Sequence, residues 1–334
     1  MLNCAVIGLG VGEKHAEAYE SHNKTILKSL CDIDQSKLER ANINFPTSNF
    51  YSNDKSIIDD KDIHVISVAS FDNFHSDQIV RSLSNGKHVM AEKPICLHPE
   101  ELIKIIKAKN KNPETKLSSN LALRTNSRFL RMRSDIKKGR FGEVFYLEGD
   151  YYWGRKEKLF GWRAEMEFYS IIHGAAIHMI DLAMWLLDEK PIKLQVMGNS
   201  ISTKNSNLNY NSFVIILLEF QNGTIVKLTG NGGCVHPHFH GLKIFGNELT
   251  AIHNFNEAYY LNSADPNDPP ILLNEPYPEK ESRKNLIHSF VDYILDDSSM
   301  PIVSEKDIYD VMSICFAAEE AMKKGEKIEI NYYN

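Results

Sequence analysis

The stretch Leu2-Asn3-Cys4-Ala5-Val6-Ile7-Gly8-Leu9-Gly10-Val11-Gly12 decides the fold class. Its first six residues read as a short strand, three alternating glycines follow at once, and a helical pattern runs over Glu13–Ser21. A glycine-rich turn between a strand and a helix is the setting of a dinucleotide-binding loop. There Gly8 permits the tight turn and Gly10 lets the backbone approach a pyrophosphate closely. The helix beyond Gly12 supplies amides and the positive end of its dipole. With Leu9 and Val11 these residues form the candidate phosphate loop. The Gly-x-Gly-x-Gly spacing is one residue shorter than the usual Gly-x-Gly-x-x-Gly.

Asp32 strengthens this reading. It lies twenty residues beyond Gly12, at the end of the next strand, Ile26–Cys31. A carboxylate there accepts hydrogen bonds from an adenosine ribose and repels a 2′-phosphate, which favours NAD over NADP. The alternative for an acid at this point is to cap the following helix, and Asp34 is better placed for that. Alternation continues through helix Gln35–Asn42, strand His64–Val68, helix Ser76–Ser84, strand His88–Ala91 and helix Pro99–Lys109. It predicts an N-terminal Rossmann domain over residues 1–120, a doubly wound parallel α/β sheet.

Residues 121–334 have a different character. Glu143–Trp153 is a long aromatic strand, and Ile172–Leu187 is apolar almost all round, so it reads as a buried helix. Ser212–Phe220 and Thr224–Thr229 flank Gln221-Asn222-Gly223, a hairpin signal, and further strands are expected at Leu242–Phe245 and Thr250–His253. Asn262–Ser282, with five prolines, reads as a loop before closing helices at Leu286–Leu295 and Glu305–Lys323, with Gly325 as C-cap. This predicts a C-terminal α+β domain with a largely antiparallel open sheet for substrate binding and oligomerisation. Its closing helices can pack back on the first domain.

Composition narrows the function. A chain of 334 residues with 43% hydrophobic and 25% charged residues is globular and long enough for two domains. A net charge of −6 argues against a nucleic-acid or membrane-surface binder. No apolar run approaches the ~20 residues of a membrane span. The chain opens directly on a strand, so no signal peptide is expected. Five scattered cysteines without a Cys-x-x-Cys pair read as reduced thiols in a cytoplasmic protein.

In order along the chain, Gly8–Tyr19 with His15, Cys31-Asp32, Ser70-Phe71-Asp72-Asn73-Phe74-His75 and Gly86-Lys87-His88-Val89-Met90-Ala91-Glu92-Lys93-Pro94 resemble the Gfo/Idh/MocA oxidoreductases, relatives of glucose–fructose oxidoreductase and inositol dehydrogenase. The resemblance continues through Arg124–Phe129, Gly142, Ile177-His178-Met179-Ile180-Asp181 and the closing helices. It implies hydride transfer between a nicotinamide cofactor and a carbinol carbon of a sugar, cyclitol or nucleotide sugar. It also implies a homo-oligomer, a dimer or tetramer. By resemblance, Ser70, Asp72, His75 and Glu92 border the cofactor, and Lys93 and His178 share the acid/base work.

The chemistry agrees with those roles. Oxidising a secondary alcohol needs a base for the hydroxyl proton, and the reverse reaction needs an acid. A partly desolvated lysine can serve, with Pro94 stiffening the backbone that aims it. His178 and Asp181 stand three apart on one helix face, so the acid can orient the imidazole. Many relatives carry an aspartate four residues before this histidine. Here that position is Gly174, with His173 beside it as a candidate replacement or pocket residue. The departure keeps open a second reading, an NAD-binding regulatory or scaffold protein of reduced catalytic capacity. Arg124, Trp162, Arg163 and Tyr169 are candidate substrate contacts, the arginines as clamps for a phosphate or carboxylate and the aromatics as stacking surfaces. His236-Pro237-His238-Phe239-His240 invites a metal reading, but Pro237 interrupts a strand and no carboxylate or thiolate completes a site. It is expected to line the substrate pocket, with no metal.

Overall fold

The computed structural model describes residues 1–334. The chain forms two compact units, Met1–Thr125 with Lys280–Tyr309 and Tyr333–Asn334, and Asn126–Glu279 with Asp310–Tyr332. In the first, β1 (Leu2–Ile7), α1 (Gly12–Ser21), β2 (Thr25–Cys31), α2 (Gln35–Asn44), β3 (Asn49–Tyr51), α3 (Lys55–Ile58), β4 (Val65–Val68), α4 (Asp72–Ser84), β5 (His88–Ala91), α5 (Pro99–Lys111) and β6 (Leu117–Ser119) alternate. The six strands pair in parallel in the order β3-β2-β1-β4-β5-β6, the doubly wound order. All four residues of β4 are buried, as a parallel strand covered on both faces requires. The short elements β3, α3 and β6 escape the sequence reading because three or four residues carry no measurable period.

Helix starts follow local chemistry. Asp34 caps α2 by accepting from the Ser36 amide at 2.9 Å, the role anticipated for it. Pro99 opens α5, and Glu101 reaches back to the amides of Leu97 and His98 at 2.8 and 3.1 Å.

The second unit contains α6 (Ser127–Lys137), β7 (Val144–Tyr152), α7 (Trp162–Glu165), α8 (Ile177–Leu187), β8 (Pro191–Asn199), β9 (Phe213–Phe220), β10 (Ile225–Asn231), β11 (Phe239–Gly246), β12 (Thr250–His253), β13 (Ala258–Leu261) and β14 (Ile271–Leu272). Later in the chain come α9 (Lys284–Leu295), α10 (Glu305–Lys324) and β15 (Ile328–Glu329). The nine-stranded sheet runs β14-β13-β12-β11-β7-β10-β9-β8-β15. It is antiparallel except where β7 lies parallel to β10. The expected single helix over 172–187 is broken: Ile172–Ala176 forms a π turn before α8 begins. Helix α6 went unassigned because its exposed faces are polar and basic. Its signal was Asn126, which accepts from the amides of Arg128 and Phe129 at 3.1 and 3.4 Å.

Of the closing helices, α9 belongs to the first unit, so a linear boundary at residue 120 divides the chain differently from its packing. There His288 Nε2 lies 3.0 Å from the Ala18 carbonyl and 3.1 Å from Ser21 Oγ, joining α9 to α1. No helix is long and apolar enough to cross a membrane.

A buried polar node ties α6 to the sheet. Tyr260 on β13 is fully buried and donates its hydroxyl to Asp135 Oδ2 at 2.9 Å, while Arg140 pairs with Oδ1 at 2.9 Å. Tyr260→Phe leaves the ring in place but removes the donor. We expect a loss of about 1–2 kcal/mol in urea unfolding. An unchanged midpoint would mean that Arg140 alone satisfies the carboxylate.

Candidate functional site

In the first unit, the loops after β1, β2, β4 and β5 meet at the carboxyl edge of the sheet. The crevice lies where strand order reverses between β1 and β4, the place where such sheets bind ligands. Gly8 has φ +92°, and a Cβ there would fall 2.3 Å from the Ala69 carbonyl oxygen, so the turn admits only glycine. A Cβ on Gly12 would meet Val6 Cγ1 at 2.8 Å. Gly10 differs, because a Cβ there would have nothing within 4 Å and the residue is exposed. Neither its backbone nor its neighbours demand glycine. Helix α1 has no side-chain cap, which leaves its first amides for an anionic group.

Asp32 is buried and faces this loop. Its Oδ2 accepts from the Leu9 amide at 2.7 Å and from Lys37 Nζ at 3.2 Å, and its Oδ1 accepts from the Asp34 amide at 2.9 Å. The carboxylate therefore braces the glycine-rich loop. Lys37 was not anticipated, since the pairing appears only once α2 is placed beside β2.

Lys93 is half-buried and follows β5 through Glu92, with a cis peptide to Pro94. Glu92 is buried, and its Oε1 lies 3.1 Å from His15 Nε2 and 2.5 Å from Asn120 Nδ2. A carboxylate only accepts, so His15 Nε2 donates, and Nδ1 lies 3.0 Å from Ser67 Oγ. Tyr19 completes the chain at 2.9 Å from Ser67 Oγ. Burial alone would raise the Glu92 carboxyl, but the hydrogen bond and charge of His15, then Asn120 and the charge of Lys93, outweigh it and bring it down to about 2.

Two predicted site residues of this unit have partners within the protein. His75 is buried, with Nδ1 2.7 Å from the Pro94 carbonyl and Nε2 3.1 Å from the Ser70 carbonyl. Its nitrogens are turned to the backbone on either side, one of them to the Lys93-Pro94 segment. Arg124 is likewise buried, and its guanidinium reaches Asp307 at 3.1 Å and the Ile302 carbonyl at 3.2 Å. It is an internal tie, not an open clamp for a substrate phosphate. Burial raises the Asp307 carboxyl, but the Arg124 charge and hydrogen bond hold it below its ordinary range. Ser70 donates to Gln78 Oε1 at 2.7 Å, and Asp72 opens α4, where the helix dipole favours an acid.

The second unit holds the other candidates. His178 lies over Tyr151 of β7, rings stacked with centroids 5.7 Å apart. Register pairs Tyr151 with His240 of β11. His240 meets Tyr151 edge-on at 4.7 Å, lies 6.2 Å from His178 and 5.0 Å from His238, and bonds the Tyr277 hydroxyl. His238 Nδ1 donates to the Trp153 carbonyl at 3.0 Å. Arg163 lies over Trp153 at 5.4 Å and over Trp162 at 4.2 Å, so both candidates from α7 adjoin this wall. His236 diverges and stacks on Tyr152 at 4.5 Å. The three imidazoles of the His-rich stretch thus do not converge, and no group of three potential ligands is arranged to hold a metal ion.

His173 does not join His178. It is buried against Phe168 and Phe316, with Nδ1 3.5 Å from Glu319 Oε1. The space beside Gly174 belongs to Tyr169, whose hydroxyl lies 2.4 Å from where a Cβ would stand. Asp181 is buried on α8. Sequence reading did not single out Tyr151 or Tyr277, because only the β7–β11 register brings Tyr151 beside His240, whose ring bonds the Tyr277 hydroxyl.

Two outcomes test the first unit. Gly10→Val is expected to leave the melting temperature within about 2 °C and to weaken NADH binding at least about tenfold. A fluorescence titration with undiminished affinity would remove the loop from the cofactor site. Glu92 is held ionised, so the stability it contributes is full above its ordinary value of 4.5 and is lost as the pH falls towards 2. The stability gap between wild type and Glu92→Gln is expected to be widest at neutral pH and to narrow on acidification. Urea titrations across that range check the trend, and a gap that widens in acid would contradict it.

Residues 2–120 match the model of an oxidoreductase family with an NAD-binding Rossmann fold, and residues 129–252 match the Gfo/Idh/MocA C-terminal domain. Inositol 2-dehydrogenase of Salmonella paratyphi B is 23% identical over 191 residues, 56% of this chain. The chain spans 55% of the length of that curated relative. Among solved structures, myo-inositol 2-dehydrogenase from Lactobacillus plantarum superposes with a TM-score of 0.84 at 21% identity, covering 99% of each chain. Levoglucosan dehydrogenase in complex with NADH and L-sorbose gives 0.86 at 18% identity, again over 99% of each chain. These two likenesses establish the shared fold. With both family models matched in order along one chain, the protein belongs to the Gfo/Idh/MocA oxidoreductase family.

Proposed function

We propose that this protein is an NAD-dependent oxidoreductase acting on a secondary carbinol, or the corresponding ketone, of a neutral cyclic polyol or free sugar. Lys93 in the first unit and His178 in the second are its acid/base groups. The observation that carries the reading is the fixing of Lys93, held on one side by the buried Glu92 network and on the other by the hydrogen bond from His75 to Pro94. Such rigidity is what a proton-transfer group needs. NAD, when bound, supplies the hydride acceptor or donor. Gly8, Gly10 and Gly12 and the uncapped start of α1 would hold its phosphates, and Asp32 its adenosine ribose.

The chain's own groups then handle protons and orientation. Lys93 Nζ holds or releases the carbinol proton. The His178 imidazole is the second candidate acid/base group, able to donate or accept a proton. Tyr151 offers a ring face to the C–H side of a cyclic substrate, and His238 and His240 offer ring edges near it to hydroxyl groups. The named relatives, inositol and levoglucosan dehydrogenases, act on neutral polyols and anhydrosugars, which agrees with such a wall. A nucleotide sugar fits less well, because Arg124 is committed to Asp307 and Arg163 is the remaining candidate clamp. A second copy of the chain is the proposed partner. The open face of the nine-stranded sheet carries Met197, Leu217 and Ile225, and apolar side chains there favour a cover. Five free cysteines, four of them buried, suit a reducing compartment such as the cytoplasm.

The second reading, a cofactor-binding protein without turnover, rests on Gly174. A panel of inositols, anhydrosugars, free sugars and UDP-linked sugars, followed by NADH absorbance, separates the two. We expect turnover with a neutral cyclic polyol or free sugar. Lys93→Ala should lower kcat about 10²–10⁴-fold with NADH binding retained. Tight NADH binding with no exchange across the panel would favour the second reading, and undiminished turnover in Lys93→Ala would remove that lysine from the mechanism.

A further inference from the structure

Tyr277 lies in the proline-rich segment between β14 and α9, outside any helix or strand, yet its ring is held from several sides. His253 of β12 packs edge-on against it with centroids 4.5 Å apart, Phe239 of β11 at 5.2 Å and Phe129 of α6 at 5.6 Å. The Arg128 guanidinium lies over the same ring at 5.9 Å.

The backbone around Tyr277 is tied to the start of α6. Arg128 donates to the Glu275 carbonyl through Nε at 3.1 Å and also through Nη2, and Asn126 Nδ2 donates to the Pro276 carbonyl at 3.4 Å. Arg131 pairs with Glu275 Oε1 at 2.7 Å, and Glu279 Oε2 accepts the Ser127 amide at 2.8 Å. A loop has few hydrogen bonds of its own, so ties on both sides of one residue are what hold that residue still. The ring contacts would serve a phenylalanine equally well. The hydroxyl is what reaches Nδ1 of the buried His240.

His240 stands edge-on to Tyr151 at 4.7 Å and lies 6.2 Å from His178. A neutral imidazole carries one ring proton, and the group bonded at one nitrogen decides which nitrogen keeps it and how the ring is turned. We propose that Tyr277 is the positioning residue for His240, its hydroxyl donating to Nδ1, holding the rotation of the ring and keeping the imidazole proton on Nε2. The inference rests on the proposed role of the Tyr151 wall in receiving the substrate and names what orients one hydroxyl-recognising group of that wall. A ring locked as one tautomer offers a substrate hydroxyl one kind of hydrogen bond, whereas a ring that exchanges tautomers accepts either end of an O–H and selects less. Tyr277 therefore acts on the binding and choice of polyol, not on hydride or proton transfer.

Two measurements test this. Tyr277→Phe keeps the ring among His253, Phe239 and Phe129 and removes only the hydroxyl. We expect the KM for the best polyol to rise about tenfold, the scale of one lost hydrogen bond, with kcat changed less and NADH affinity retained. In a His240→Ala background the same substitution should add nothing, since the bond is already gone. An unchanged KM in Tyr277→Phe, or an equal loss with and without His240, would overturn the inference while leaving the proposed function standing. If the wild-type protein turns over no substrate, the proposed function fails, and the His240 tautomer still decides, read from ring ¹⁵N shifts in histidine-labelled protein. A single Nε2–H form in wild type that becomes a mixture in Tyr277→Phe supports the positioning role, and ¹⁵N shifts that coincide in the two proteins overturn it.

Discussion

The buried carboxylate of Glu92 is the constraint on which the first unit's chemistry depends. A carboxylate removed from water is costly unless every oxygen finds a donor. Here the donors come from α1, through His15, and from the end of β6, through Asn120. Ser67 of β4 and Tyr19 of α1 extend the network behind His15. Satisfying one charge thus fixes β5 against α1, β4 and β6, and the next residue in the chain is Lys93. The catalytic candidate inherits its position from a polar network that never needs to touch a substrate. His75 repeats the logic on the other side of the lysine, its ring set between the Pro94 and Ser70 carbonyls.

The second unit solves the same problem with rings. Tyr151 is the centre: His178 stacks on it, His240 opposes it across the β7–β11 pair, and His238 and Trp153 adjoin it. Behind His240 stand Tyr277 and His253, with Arg128 donating to His253 Nδ1 at 2.9 Å. Burial first, and the Arg128 charge second, push the His253 imidazole down to about 3, so it stays neutral and packs as an aromatic ring. Histidine in this region therefore serves two ends, polar edges near Tyr151 and neutral packing further back.

Three glycines show how different causes leave the same letter in a sequence. Gly8 is set by a positive φ and by the Ala69 carbonyl pressed against it, whereas Gly10 meets nothing of its own chain. Gly174 is set by the phenol of Tyr169. Only the first belongs to backbone conformation. The second faces open space, and the third is set by the packing of a neighbouring side chain.

Much of the first unit was legible because its signals are local. The strand–glycine–helix pattern of Leu2–Ser21, Asp32 at the strand end and the cap at Asp34 each depend on neighbours a few residues away. The aromatic strand at 143–153 and the Asn222-Gly223 hairpin were legible for the same reason. What the sequence could not yield were facts of long-range placement. The return of α9 to α1, the parallel pairing of β7 with β10, the burial of Arg124 on Asp307 and the meeting of His178 with Tyr151 and His240 join residues far apart in the chain. The sequence by itself determined the strand–glycine–helix turn and the fold class, because hydrophobic period and turn chemistry act over single elements. Tertiary structure alone decided which polar groups remain available for chemistry, because hydrogen-bond partners are assigned only when distant elements pack.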